Sequence, residues 1–207
     1  MSDKLVYDVY DNFVEPHVAE YIDGEVQKAR WKYGFRSNPH YGTKHWNVGC
    51  GATIEEITDN GCDFVLPIWN AAINKFKFDE LYGVKDFVRV YMNAHTYGMQ
   101  PHWHKDDGAF TIIYYPTMHW PIEWEGGTII YGEEENQDEE PDPRYGHPPK
   151  SVEYINQYVG NRVLVFDAWR WHSAQQVRRE CYEMRPVIVF KTELDGVNRE
   201  RLDFYNV

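Results

Sequence analysis

The sequence predicts an α+β fold, with N-terminal helices packed on one face of a jelly-roll (double-stranded β-helix) core. Two observations carry this prediction. Residues 1–85 contain apolar side chains at helical spacing, whereas residues 86–195 contain short β-branched and aromatic runs with no helical spacing between them. Strands without intervening helices are typical of antiparallel sandwiches and barrels. At this length, residues 1–207 are predicted to form one domain.

The first predicted helix lies within residues 13–30, where apolar residues recur at helical intervals beyond Pro16. A second is predicted within residues 62–78, CDFVLPIWNAAINKFKF, from its apolar stripe. Residues 31–47 between them are rich in Gly, Pro, Asn and aromatic residues, which favours a loop or short strand.

The strand region contains the runs FVRVYM, AFTIIYY, GTIIYG, NRVLVFDAW and RPVIVFK. Residues 132–150 interrupt it with seven acidic residues from Glu133 to Asp142, followed by prolines. A solvated loop and a lid over the open end of the barrel are both compatible with such an insertion.

The composition indicates which ligands and which cellular compartment to expect. Lys and Arg number 21 against 33 Asp and Glu, so the net charge of −12 disfavours nucleic acid as a ligand. Three cysteines without a CxxC pair indicate reduced thiols. No basic and apolar leader or membrane-length apolar stretch is present, so we expect a soluble, cytoplasmic protein; the sequence does not indicate its oligomeric state.

The segment HWHKDD, residues 102–107, is the first candidate metal site. In an extended strand, His102, His104 and Asp106 share one face and Asp107 lies on the other. Same-face neighbours are about 7 Å apart, so two of them can converge on one ion more easily than three. The ligand pair is therefore either His102 with His104 or His104 with Asp106.

A later histidine and an arginine can complete the site. His-x-Asp with a distant second His is the 2-His-1-carboxylate facial triad of Fe(II) oxygenases, and His172 follows the buried-type run VLVF. Arg185 opens the next run, which we place beside the strand that precedes His172. Its guanidinium suits the distal carboxylate of a dicarboxylate co-substrate whose other end chelates iron.

These motifs together resemble the 2-oxoglutarate and Fe(II)-dependent oxygenases, specifically the prolyl 4-hydroxylase-like branch. The matching stretch runs from about Val88 to Thr192, with RVYMNAHTYGMQPHWHKD, FTIIYYPTMHW, GGTIIY and VLVF in family order before His172 and Arg185. An HxD motif alone is weak evidence, whereas the ordered set is specific.

The resemblance implies roles for particular residues. The iron ligands would be His104, Asp106 and His172, and Arg185 would anchor 2-oxoglutarate. Tyr91 and Tyr115 match positions that hydrogen-bond the co-substrate in the family, and Thr111 is a further candidate because it lies on the same strand face as Tyr115. Candidate substrate contacts are Arg36, Asn38, His45, Trp46, His102 and Trp171, for which ordinary loop or packing roles are the alternative.

Two features depart from the family pattern. Lys191 is a rival anchor, because many prolyl hydroxylases use lysine, but it lies 19 residues after His172 (191 − 172). His102 and His104 also form HxH, as in metal-binding cupins, although no Glu follows closely. The expectation for His102 is therefore a pocket residue or a histidine beside the ligands.

The resemblance implies a dioxygenase that uses Fe(II), 2-oxoglutarate and O₂, with ascorbate as a candidate reductant, and hydroxylates a C–H bond with release of succinate and CO₂. Asp106 favours hydroxylation, because related halogenases lack this carboxylate. A prolyl residue of a peptide or protein is the expected substrate; a free amino acid or small metabolite is the alternative. A non-oxidative cupin-like metal-binding module is the rival from another class.

Overall fold

The computed structural model describes residues 7–37, 43–143 and 146–194. Within these ranges, ten strands form two antiparallel sheets that pack face to face, with helices on the outer face of the larger sheet. The strands are β1 Tyr7–Tyr10, β2 Lys32–Phe35, β3 His45–Gly51, β4 Val84–His95, β5 Phe110–Tyr115, β6 Thr128–Tyr131, β7 Val152–Asn156, β8 Arg162–Asp167, β9 His172–Ala174 and β10 Arg185–Leu194.

The larger sheet has the order β1-β8-β5-β10-β4-β3-β2, and the smaller sheet has the order β7-β6-β9. All pairings are antiparallel. This arrangement confirms the predicted jelly-roll core. It also leaves a space between the sheets into which inward-facing side chains project.

Strand β10 shows how alternation builds the two cores. Val187 and Val189 pack with Ile130 of β6 between the sheets, whereas Ile188 and Phe190 point to the opposite face and pack among the helices. Alternate residues of a strand lie on opposite faces, so a continuous apolar run such as VIVF is what a doubly covered strand requires.

The N-terminal helices match the prediction in part. Helix α1, Pro16–Lys28, lies within the predicted range and buries Ile22 and Val26. The range 31–47 contributes β2 and the start of β3, while residues 38–42 lie outside the described part of the chain. Helix α2, Ile54–Asp59, was not predicted; Thr53 caps it by accepting a hydrogen bond from the Glu56 N–H.

The prediction of one continuous helix over residues 62–78 is wrong. The segment divides into a 3₁₀ turn at Asp63–Val65, helix α3 at Leu66–Asn70 and a π-helical turn at Ala71–Lys75. Helix α4, Phe78–Tyr82, follows Lys77, which has a positive φ of 55°. A left-handed residue cannot continue a right-handed helix, so the chain changes direction there.

The predicted neighbour of β10 is also wrong. The sequence analysis places Arg185 on a strand beside the one that precedes His172, which is β8. Instead β5 lies between β8 and β10, and β10 pairs with β4 and β5. Strand adjacency in a jelly roll follows crossovers between sheets, which the order along the chain does not reveal.

Two further findings complete the fold. Strand β1 was not predicted, and it pairs with β8 at the edge of the larger sheet. Among the described residues, no helix combines the length and the apolarity that crossing a membrane would require.

Asn161 connects the N-terminal segment to the sheet. It has a positive φ of 58°, and its side chain accepts from the Val14 N–H (3.0 Å) and donates to the Val14 carbonyl (2.9 Å). We expect Asn161→Ala to lower the free energy of unfolding by about 2–4 kcal/mol, because it leaves two backbone groups unpaired and strains the backbone. Urea denaturation measures this change.

Asn161→Gly is the matched control, since glycine accepts the positive φ without strain but still lacks the amide. It should be less destabilising than Asn161→Ala by about 1 kcal/mol. Wild-type stability in the glycine variant would show that the hydrogen bonds to Val14 contribute nothing.

Candidate metal centre

The three predicted ligands meet at one end of the space between the sheets. Strand β9 begins with His172, whose N–H donates to the His104 carbonyl (3.0 Å) while the His104 N–H donates to the His172 carbonyl (2.9 Å). The Asp106 N–H donates to the Ala168 carbonyl (2.7 Å). The backbone thus fixes both segments, although within residues 102–106 only His104 forms a bridge, to His172, in place of the extended strand assumed from the sequence.

One ligand atom from each of His104, Asp106 and His172 lies within 4.8 Å of the others. The Nε2 atoms of His104 and His172 lie 3.6 and 3.1 Å from the two carboxylate oxygens of Asp106. Asp107 instead forms an ion pair with Arg89 (2.6 Å) and is not part of this cluster, which agrees with its predicted place on the other face. The geometry therefore groups His104 with Asp106 rather than with His102, which lies beside them.

The histidine tautomers suit metal binding. Nδ1 of His104 lies 3.0 Å from the His102 carbonyl, and Nδ1 of His172 lies 2.9 Å from the Arg170 carbonyl. A carbonyl only accepts, so each Nδ1 carries the proton and each Nε2 presents its lone pair to the site. Burial, with the nearby His172 and Lys191, lowers the pKa of His104 to about 3, which keeps the ring neutral as a ligand must be.

Asp106 is held by two partners besides the histidines. Thr111 donates its hydroxyl proton to Oδ2 of Asp106 (2.7 Å), and the buried ammonium of Lys191 forms an ion pair with the same oxygen. Burial alone raises the pKa of Asp106, but Lys191 and His172 more than reverse this effect and hold the pKa well below its usual value. The carboxylate is therefore ionised and oriented.

A cavity of about 60 Å³ extends from the three ligands into the space between the sheets. Arg185 lines it at the start of β10, with only 2% of the residue exposed. Its Nε donates to the Gly126 carbonyl, and its Nη2 donates to the Gly127 carbonyl (2.7 Å) and the Thr128 hydroxyl (3.2 Å). The guanidinium is thus fixed in the same cavity as the ligands.

The pair Gly126 and Gly127 is required by this arrangement. Gly126 has a φ of 76°, and a Cβ there would lie 3.0 Å from Cγ of Arg185. A Cβ on Gly127 would lie 2.0 Å from the Asn156 carbonyl oxygen. The turn at these two glycines therefore brings both backbone carbonyls onto Arg185.

Lys191, the rival anchor, occupies a different position. Its amine contacts Asp106 and lies 3.2 Å from the Thr111 hydroxyl. It is not among the residues that line the cavity, whereas Arg185 is. This geometry favours Arg185 over Lys191 for a carboxylate that extends from the metal into the cavity.

The other predicted co-substrate contacts fall in two groups. Tyr91 and Thr111 line the cavity. Tyr115 shares the inner face of β5 with Thr111, but its hydroxyl donates to the Thr128 hydroxyl (2.7 Å), and the residue is not part of the cavity lining. It supports Thr128, which in turn accepts from Arg185.

The predicted substrate contacts are also divided. His45 and His102 line the cavity, and Asn38 lies outside the described residues. The remaining three do not line it: Arg36 is exposed, Trp46 faces the other side of β3 against Tyr33, and Trp171 packs against Trp103.

Sequence reasoning missed two cavity residues on β4, Asn93 and His95. Alternation starting from Tyr91 would have placed both on its face of the strand. On this strand the resemblance points only to Tyr91, so it does not reveal the other two residues.

A second hollow, of about 210 Å³, adjoins the ligands on the side of β2 and β3. His104 and Asp106 form part of its wall, and the rest comprises Phe35, Ser37, Asn47, Arg89 and Tyr91. The two spaces meet at the candidate ligands.

The acidic insertion folds back on itself in the part that the structure describes. Isolated bridges join Glu135 to Pro149 and Asp142 to Gly146, and Glu133 forms an ion pair with Arg170 (2.7 Å), two residues before His172. Asp142 is buried, at 2% exposure. The insertion therefore packs against the segment that leads into His172, one of the candidate ligands.

The ion pair between Lys191 and Asp106 predicts a large stability effect. We expect Lys191→Met to lower the free energy of unfolding of the metal-free protein by about 3–5 kcal/mol, because it leaves a buried carboxylate without its cation. Saturating Mn(II) should restore most of this loss, since the ion replaces the missing positive charge. Urea denaturation with and without Mn(II) measures both effects.

Lys150→Met is the matched control, because Lys150 forms an ion pair with Glu134 (3.4 Å) in which both side chains are more than half exposed. This variant should lose less than about 1 kcal/mol and should not respond differently to Mn(II). Equal losses in the two lysine variants would contradict the role assigned to Lys191.

No family model matches the sequence, and no curated protein matches it. Solved structures match the fold over most of the chain. A prolyl-4-hydroxylase from Pseudomonas putida aligns with a TM-score of 0.63 and 11% identity, over 93% of this chain and 95% of that one. A prolyl hydroxylase from Trichoplax adhaerens, solved with a peptide fragment of hypoxia inducible factor, aligns with a TM-score of 0.59 and 12% identity, over 90% and 83%.

The α-ketoglutarate (2-oxoglutarate) dependent non-heme epimerase SnoN, from nogalamycin biosynthesis, aligns with a TM-score of 0.60 and 14% identity, over 92% of this chain and 82% of that one. The chain therefore has the fold of the 2-oxoglutarate/Fe(II) oxygenases, and it carries a His-Asp-His cluster whose ligand atoms could hold a metal ion. The resemblance predicted from the sequence is confirmed at this level.

Proposed function

We propose that this chain is an Fe(II)- and 2-oxoglutarate-dependent dioxygenase that hydroxylates an unactivated C–H bond, with a prolyl residue of a peptide or protein as its substrate. One observation carries the proposal: a buried arginine lines the same cavity as a convergent His-Asp-His cluster. A metal site alone would not need a buried guanidinium. A dicarboxylate that chelates the metal requires the metal ligands at one end and a guanidinium at the other.

The chain's residues would divide the work as follows. His104, Asp106 and His172 hold the metal on one side, which leaves adjacent positions for other ligands. Two neutral imidazoles and one carboxylate leave a divalent ion with a net positive charge, which favours an anionic co-ligand. Arg185 receives the distal carboxylate of that co-ligand.

When bound, Fe(II) with 2-oxoglutarate and dioxygen supplies the oxidising power that converts a substrate C–H into C–OH, with release of succinate and CO₂. The protein positions the substrate and limits the access of water to the site. Ile113, Val187 and Val189 line the cavity as apolar walls and limit the entry of water beside the ligands. Lys191 and Thr111 keep Asp106 ionised and oriented.

The second hollow supports entry of the primary substrate from the β2 and β3 side. Its volume of about 210 Å³ suits one side chain or ring rather than a large molecule, and His104 and Asp106 form its inner wall. A residue presented by a peptide fits this geometry. Two structural neighbours are prolyl hydroxylases, one of them solved with a peptide, which supports the choice of a prolyl residue.

A small metabolite is the second candidate substrate. SnoN, from a biosynthetic pathway, has a TM-score close to those of the prolyl hydroxylases, so fold alone does not select between these substrate classes. Proline-containing peptides and small molecules should therefore be screened together. Turnover of a small molecule with no hydroxylation of any peptide would favour the second candidate.

The first experiment is an anaerobic titration of the purified protein with Fe(II) and then 2-oxoglutarate, followed by the visible charge-transfer band of the chelate. The proposal expects the band to appear and to saturate with one equivalent of 2-oxoglutarate. His119→Ala, which alters an exposed histidine away from the cluster, should give the same band. Absence of the band in metal-loaded protein would instead favour the non-oxidative cupin-like module.

A further inference from the structure

Three polar side chains form a row across the inner face of the larger sheet. Arg185 of β10 pairs in register with His95 of β4, and Trp46 of β3 pairs with Ala94 of β4. The antiparallel register therefore brings His45 of β3 beside His95. The two imidazole rings have centroids 4.7 Å apart, and all three side chains of the row line the cavity that contains the candidate metal ligands.

Two atoms of this row lack hydrogen-bond partners among the described residues. Within those ranges, Nε2 of His45 and Nδ1 of His95 make no hydrogen bond, and both atoms are buried in residues that are only 2% and 6% exposed. Buried polar atoms in native proteins are nearly always paired, and an unpaired one indicates a ligand or water that completes it. Both atoms belong to residues that line one cavity, so one ligand can satisfy both.

Arg185 also has a hydrogen-bond donor, Nη1, that no described residue uses. Its Nε and Nη2 donate to Gly126, Gly127 and Thr128, and no hydrogen bond involves Nη1 among the described residues. Within the same ranges, no carboxylate forms an ion pair with this guanidinium. A buried cation without a counter-charge is costly, so the vicinity favours an anion.

The charge of the row selects the class of ligand. Burial, opposed in part by hydrogen bonding and reinforced by Arg185, lowers the pKa of His45 to about 4, and burial lowers the pKa of His95 well below its ordinary value. Both rings are therefore neutral near pH 7, and each can donate one N–H. A metal cation in this row would be repelled by the guanidinium, whereas a carboxylate can accept from Nη1 and from both rings.

We propose that His45 and His95 bind the distal carboxylate of 2-oxoglutarate together with Arg185, and thereby determine the preference for a dicarboxylate co-substrate. This inference rests on the proposed function. It gives His45 a role on the co-substrate, in place of the substrate contact predicted from the sequence, and it assigns His95 for the first time.

The test compares two 2-oxo acids that differ at one end. 2-Oxopentanoate has a methyl group where 2-oxoglutarate has the distal carboxylate, and it keeps the chelating end. Anaerobic calorimetry of Mn(II)-loaded protein measures the Kd of each acid in the wild type, His45→Phe, His95→Phe and His95→Gln. Phenylalanine keeps the ring volume without the N–H, and glutamine restores a donor.

We expect each phenylalanine variant to weaken 2-oxoglutarate binding roughly tenfold, as the loss of a hydrogen bond to a charged group implies, and to leave 2-oxopentanoate binding within about twofold of wild type. His95→Gln should recover most of the lost affinity. His119→Phe, at an exposed histidine, should change neither Kd. Thermal unfolding of the metal-loaded variants checks that each remains folded.

Three results would overturn the inference in distinguishable ways. Wild-type affinity for 2-oxoglutarate in both phenylalanine variants would remove the histidines from the site while the proposed function stands. Equal losses for the two acids would place the rings at the chelating end instead. No binding of 2-oxoglutarate to the wild-type metal-loaded protein would refute the proposed function and the inference together.

Discussion

His172→Ala is expected to abolish turnover of 2-oxoglutarate and to weaken binding of Fe(II) by about 100-fold or more, and His104→Ala should do the same. Each substitution removes one of three protein ligands, and loss of a direct ligand must exceed the 10–100-fold cost of losing a neighbour that only orients one. The measurements are anaerobic metal titration and succinate production. The effect is large because the three ligand atoms lie within 4.8 Å of one another, and no other described His, Cys, Asp or Glu belongs to the cluster.

The control for this prediction is His119→Ala, because His119 is exposed and lies on a different segment. It should bind Fe(II) and form succinate as the wild type does. Urea denaturation in the absence of metal separates a lost ligand from a lost fold, since His172 is itself buried. Succinate production at the wild-type rate by either ligand variant would refute the metal site.

Arg185→Met is expected to raise the concentration of 2-oxoglutarate needed for half-saturation by about 10- to 100-fold, while Fe(II) affinity changes by less than about threefold. A hydrogen bond to a charged group contributes about 1.5–3 kcal/mol, which corresponds to this range. Arg185→Lys should lose nearly as much, because an ammonium cannot reproduce the fixed fork that donates to Gly126 and Gly127 and also faces the cavity.

Arg178→Met provides the matched control, since Arg178 precedes β10 on the same connection and is 61% exposed in its ion pair with Glu125. It should leave the 2-oxoglutarate requirement unchanged. An Arg185→Met enzyme with the wild-type requirement would eliminate this anchor. Lys191 would not become the substitute automatically, because its amine already contacts Asp106 and Thr111.

Much of the site could be predicted from the sequence because its signals are local. A single residue, Lys105, separates His104 from Asp106 along the chain, and alternation alone excluded Asp107, which the structure pairs with Arg89. The apolar runs of β4, β5, β8 and β10 predicted strands, since their side chains have to be buried on two faces. The general fold class followed from these runs and from the absence of helices between them.

The prediction of one continuous helix over residues 62–78 is wrong for a physical reason. Its apolar spacing describes which face is buried, and that face is compatible with several successive turns of different pitch. The positive φ of Lys77 then begins a new helix, and no residue type at that position signals it in advance.

The amino-acid sequence by itself determined the chemistry available to this protein: two imidazoles and a carboxylate for a metal, a guanidinium for a carboxylate, and strands to hold them. Only the tertiary structure decided which groups meet. The tertiary structure separated β10 from β8 and placed the Lys191 amine against the Asp106 carboxylate rather than in the cavity. It also aligned His45 and His95 with Arg185. The reason is that strand register and sheet order depend on crossovers between distant segments, whereas spacing along the chain reports only which face each side chain occupies.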